Sequence, residues 1–152
     1  MRFHRMVLAL GCLLAGSVGA AEPQDDLKKL QGTWTVTSMK CLGLVDPGEA
    51  GPKAAYMIEG DTILVKSSDG AITQKSTVKL DPSAKIKTMD WTILEATYGP
   101  LTSKTNPPVP GIHELSGDVL KVCWTSVPGK RPVSFDLKQQ HAVMVIALAR
   151  KK

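Results

Sequence analysis

The sequence predicts an all-β domain, an antiparallel meander of about eight or nine short strands closing as a barrel or a sandwich. Apolar and polar residues alternate with period two through most of the chain after residue 21. Turn-forming Gly, Asp, Pro and Ser separate these runs at intervals of roughly 8–15 residues. No helical segments alternate with the strands, so a βαβ rhythm is missing.

The chain opens with "MRFHRMVLALGCLLAGSVGAAEP", in which Arg2 and Arg5 precede the apolar run Met6 to Ala15 and small residues lead to Gly19-Ala20-Ala21. That order is the order of a secretory signal, so residues 1–21 are read as a leader and 22–152 as the domain. The apolar run falls short of the ~20 residues a bilayer-spanning helix needs. A lipoprotein cut before Cys12 is disfavoured, because Ala9 stands where such sites favour leucine. The expectation is therefore an exported, periplasmic or extracellular domain of about 131 residues, enough for one core without staples. Net charge is +5 for the whole chain and about +3 without the leader's arginines. The lysines are scattered and no aromatic residues interleave with them, which argues against a nucleic-acid groove. No later segment reads as transmembrane, and oligomeric state is not legible.

Asp25 to Gly32 reads as a short helix, with acids first, lysines later, Leu27 and Leu30 on one face and a glycine stop. Thr33–Cys41 is the first strand, followed by a Gly- and Pro-rich loop, Leu42–Pro52. Ala54–Ile58 and Thr62–Lys66 flank Glu59-Gly60-Asp61 as a hairpin, and Ser68-Asp69-Gly70 makes the next reversal. Ile72–Leu80 and Ile86–Leu94 follow, separated by Asp81-Pro82-Ser83. Ala96–Pro110 contains Asn106-Pro107-Pro108 and cannot join a ladder. Gly111–Leu115 and Val119–Thr125 pair across Ser116-Gly117-Asp118; Pro132–Leu137 and Val143–Ala149 complete the set.

Phase then sorts the side chains. Trp34 with Val36, Met89 with Trp91 and Ile93, and Leu120 with Val122 and Trp124 take the inward phase. Thr35, Thr37 and Cys41 share the outward phase of the first strand, as Lys121 and Cys123 do later. Cys41 and Cys123 are the two cysteines beyond the leader, and export makes a bond between them possible, with geometry left open. In Gly32-Thr33-Trp34 the glycine permits a sharp turn from helix to strand, and the tryptophan suits a structural plug whose indole N–H needs one partner. Trp91 and Trp124 either fill the core or line a cavity; together with Met89 and Val122 they are the candidate ligand-binding residues.

A short helix running into Gly32-Thr33-Trp34 at the first strand resembles the lipocalin and calycin barrels. In order, "DLKKLQGTW", "IEGD", "KLDPSAKIKTMDW", "GIHELSGDVLKVCW" and "RPVSF" resemble an uncharacterised lipocalin-like domain family of exported planctomycete proteins. The resemblance implies an up-and-down β-barrel, with the tryptophan across its closed end under an arginine near the last strand. Arg150 is the residue so placed, and Arg131 a second option. It implies no activity, since a barrel hosts many functions.

No chemistry of catalysis stands out. Gly-x-Ser-x-Gly and phosphate-binding glycine loops are missing. His113 and Glu114 are adjacent on a strand and so face opposite ways; His141 sits in a polar connection. Asp61, Asp69, Asp81 and Asp118 are turn residues, leaving Glu114 and Asp90 as the strand carboxylates open to an inward reading. No catalytic residue, metal site or cofactor is assigned. Three functions stay open: binding of a small apolar or amphipathic ligand, a protein-interaction role such as peptidase inhibition, and a structural envelope domain with a filled barrel. Glu22–Asp26 is short and acidic, and fits poorly as an inhibitory arm.

Overall fold

In the computed structural model the described residues are 23–41, 54–97, 107–125, 127, 129–139 and 143–152. The leader, Cys12 and His141 lie outside them. A helix α1 (Pro23–Leu30) precedes eight strands: β1 (Gly32–Cys41), β2 (Ala55–Glu59), β3 (Thr62–Lys66), β4 (Ile72–Asp81), β5 (Thr88–Ala96), β6 (Val109–Ser116), β7 (Val119–Thr125) and β8 (Val143–Arg150). Each strand pairs antiparallel with the next, and β8 returns to β1, so the sheet is a closed up-and-down barrel. Closure gives every strand two hydrogen-bonded neighbours and removes the exposed edges an open sheet would carry.

The inward phase fills the barrel. Val36, Ile58, Ile63, Val65, Val78, Leu80, Met89, Leu120, Val122, Ile146 and Leu148 form one buried cluster with Trp34 and Leu30. A second, smaller cluster lies outside the wall, where Ile112, Cys123 and Val143 are buried against Phe135 and Leu137. The segment expected as a strand at Pro132–Leu137 is not one. It crosses the outer face irregularly and ends in a single 3₁₀ turn, Leu137–Gln139. Val133, Phe135 and Leu137 alternating with Ser134 and Asp136 gave it a strand-like pattern, but β7 and β8 pair directly and leave no vacancy in the sheet. Arg131 fastens this segment, its guanidinium gripping both Asp90 carboxylate oxygens and the Gly111 carbonyl.

The outward placement expected for Cys41 is also corrected. A bulge between Val36 and Ser38 inserts an extra residue into β1, so Ser38 pairs with Ala147, Met39 with Ile146 and Cys41 with Met144. Past the bulge the phase inverts: Met39 packs against the inner core, and Cys41 follows it to the inner face. Cys123 keeps the outward phase but is fully buried beneath residues 134–137, with its Sγ–H directed to the Ser134 carbonyl. The two cysteines thus face opposite sides of the wall with β8 between them. Two strand spacings, ~10 Å, exceed the ~7 Å limit between bridged Cα atoms. Both remain thiols.

Candidate functional site

The two barrel ends differ. At one, the turns β2–β3, β4–β5 and β6–β7 gather with the start of β1 and the end of β8, and α1 closes the opening. An α-helix leaves its last four carbonyls without partners inside the helix. Here each has one. Gln31 Nε2–H donates to Leu27 O at 2.9 Å, Gln31 N–H to Lys28 O at 3.3 Å, Arg150 Nη2–H to Lys29 O at 2.6 Å and Trp34 Nε1–H to Leu30 O at 2.8 Å. Arg150 also donates to Gln31 O. Trp34 is fully buried, and Arg150, its cross-strand partner on β8, lies over its ring. Gln31, which the sequence reading did not single out, ties the helix to the β2–β3 turn by exchanging two hydrogen bonds with the Gly60 backbone. Gly32 adopts φ 111°, a conformation side-chain-bearing residues rarely take, and this permits the turn.

Beside this cap lies a buried polar group. Asp26 on α1 is 4% exposed and receives Lys87 and Lys29. Burial alone raises its carboxyl pKa, but the hydrogen bonds and charges of the two lysines outweigh this and hold it below the usual aspartate value. His113 faces inward opposite Val122 and is 3% exposed, with no partner for Nδ1 among the described residues. Burial pushes its pKa down to about 4, with Asp26 pulling upward and Lys87 downward. Glu114 is exposed and Asp90 is committed to Arg131, so neither acid enters the barrel.

At the opposite end Cys41, Lys66, Ala96 and Thr125 finish their strands, and the inner wall turns aromatic. Trp91 meets Tyr56 edge-on with ring centres 6.1 Å apart, and Trp124 at 5.4 Å with a 35° tilt. These three rings, with Gln74, Ile93 and Val109, line a cavity of about 90 Å³. A bulge pairing Ser76 with Ile93 and Lys75 with Glu95 leaves the exposed Leu94 as the extra residue on β5, while on β4 Gln74 shares the inward phase of Val78 and the buried Ser76, whose hydroxyl accepts from Gln74 Nε2 at 2.8 Å. Trp91 is 7% exposed and its Nε1–H has no partner among the described residues.

Of the four residues expected to bind a ligand, Trp91 and Trp124 line this cavity. Met89 and Val122 do not; both are buried in the packed core, one step further along the strands from the mouth. Alternation alone could not separate them, because residues of one phase share a face but sit at different depths. Tyr56 and Gln74 were missed, although Tyr56 has the same phase as the buried Ile58. Arg131, the second option for covering Trp34, is held on the outer face by Asp90. Among the described residues no three His, Cys, Asp or Glu side chains converge as a metal site, and no helix is long and apolar enough to cross a membrane. Comparison of the chain with family models, curated proteins and solved structures returns no match.

Proposed function

We propose that this chain is an exported lipocalin-like domain that binds a small apolar or amphipathic molecule at the end of its barrel opposite α1. The observation that carries the reading is the aromatic cavity of Tyr56, Trp91 and Trp124 at the end α1 does not close. Concave, mostly apolar sites with a few polar groups are where small ligands bind, and barrel mouths are a recurrent place for them. The lower barrel is filled with side chains, so the ligand inserts one end and leaves its body at the rim. The cavity is smaller than the roughly 150 Å³ of an engineered pocket that holds benzene. That same small volume favours the structural envelope domain as the second reading.

Titrating the purified protein with a panel of apolar and amphipathic probes tests the two readings, with tryptophan emission as the signal. Saturable quenching that is lost in Trp124→Ala supports the binding role. No saturable change with any probe, in a protein that stays with the envelope on cell fractionation, supports the structural one.

A further inference from the structure

Two tryptophans of this barrel are almost wholly buried, and their indole N–H groups fare differently. Trp34 Nε1–H donates to the Leu30 carbonyl, whereas Trp91 Nε1–H has no acceptor among the described residues. An indole nitrogen only donates, and a buried donor without an acceptor loses its hydration and gains nothing in return. Trp91 is 93% buried by its 7% exposure, and its ring is a wall of the mouth cavity. Among the described residues that line it, none is Asp, Glu, Lys, Arg or His. The Gln74 amide nitrogen is already engaged by Ser76.

We infer that the inserted end of the ligand is uncharged and carries a hydrogen-bond acceptor of carbonyl type, which takes the Trp91 Nε1–H. The inference rests on the mouth being a binding site and narrows its chemistry. A carboxylate or ammonium entering this cavity would shed its water without meeting an opposite charge, and burial of an unpaired ion is strongly unfavourable. A pure hydrocarbon would fit the rings but leave the indole N–H unmet. A ketone, ester or amide carbonyl on an apolar chain satisfies the donor and keeps the aromatic contacts. The limited space restricts the buried part to the carbonyl and the few carbons beside it.

The test uses the ¹⁵N-labelled protein and three probes of ten carbons each: decan-2-one, decanoate and the hydrocarbon butylbenzene. Indole N–H resonances are followed, with Trp91 assigned through Trp91→Phe. The inference expects decan-2-one to move the Trp91 Nε1–H downfield saturably while the Trp34 signal stays fixed. It also expects the ketone to bind about five- to tenfold more tightly than butylbenzene, the ratio one net hydrogen bond supplies, and more tightly than decanoate, whose charge would be buried unpaired. In Trp91→Phe the advantage over butylbenzene disappears. If this variant does not fold, the wild-type shift and the ketone-to-butylbenzene ratio decide alone. Decanoate binding as tightly as the ketone, or butylbenzene binding with no ketone-specific shift at Trp91, overturns the inference and leaves the binding site standing. Absence of binding by all three removes both.

Discussion

The guanidinium of Arg150 lies 4.2 Å from the centre of the Trp34 ring, and the two residues are direct cross-strand partners on β8 and β1. Cross-strand partners share a face of the sheet, so the register that closes the barrel also places the cation over the indole. The same guanidinium reaches the carbonyls of Lys29 and Gln31. One side chain from the last strand therefore joins barrel closure to helix capping. Its ion pair with Asp118, at 3.2 Å and largely exposed, adds little by comparison.

Arg150→Met keeps the apolar stem but removes the donors and the cation. It should lower unfolding free energy by about 2–4 kcal/mol, since hydrogen bonds from charged groups contribute more than neutral ones. Arg150→Lys should recover little of this, because a point charge cannot span two carbonyls as a planar fork does. Urea midpoints at unchanged slope measure both.

Gly111 is required for a different reason from Gly32. A Cβ at Gly111 would stand 2.8 Å from the Met89 carbonyl oxygen and 3.0 Å from that of Cys123, both backbone atoms that cannot swing aside. Gly111→Ala should cost about 2–3 kcal/mol through overpacking. At Gly32 a Cβ would meet nothing closer than Arg150 Nη1 at 3.5 Å, so Gly32→Ala should cost about 1–2 kcal/mol through backbone strain alone. Thermal or urea unfolding of the two variants should preserve this order.

His113 makes stability depend on pH. Its folded pKa is about 4 because burial disfavours the charged ring, against 6.5 for an unperturbed histidine. Between those values the unfolded chain holds a proton that the folded chain does not, so stability falls as pH drops through that window. The full effect is about 3 kcal/mol. Asp26 acts in the same direction at lower pH, since its lowered pKa gives stability that is lost as acid protonates it. His113→Leu should flatten the decline between pH 6.5 and 4.5 in urea titrations. An unchanged slope would show that other groups set it.

Cys123 should resist alkylation in the native protein, because it is fully buried and burial raises its thiol pKa to about 11. After denaturation without reductant, mass spectrometry should find iodoacetamide on both Cys41 and Cys123. A single unalkylated mass two hydrogens lighter would instead show a bond, and would require β1 or β7 to leave its register.

Period-two alternation and turn spacing were enough to predict an antiparallel β meander, and the inward phases of Trp34, Trp91 and Trp124 followed from them, because side-chain direction in a strand is a local property. The resemblance narrowed the architecture to an up-and-down barrel and pointed to Arg150 as the partner of Trp34. Non-local geometry decided the rest. One inserted residue near Thr37 reversed the faces of Met39 and Cys41, and a bulge is invisible to simple alternation. Strand pairing excluded residues 132–137 from the sheet and laid them over Cys123. Depth along the barrel separated Trp91 and Trp124 at the mouth from Met89 and Val122 in the packing, and brought Tyr56 and Gln74 beside the former. The helix cap of Gln31 and the enclosure of Asp26, Lys87 and His113 likewise join residues far apart in the chain. Local pattern determines which way a side chain points; only the closed sheet determines how deep it lies and what it meets there.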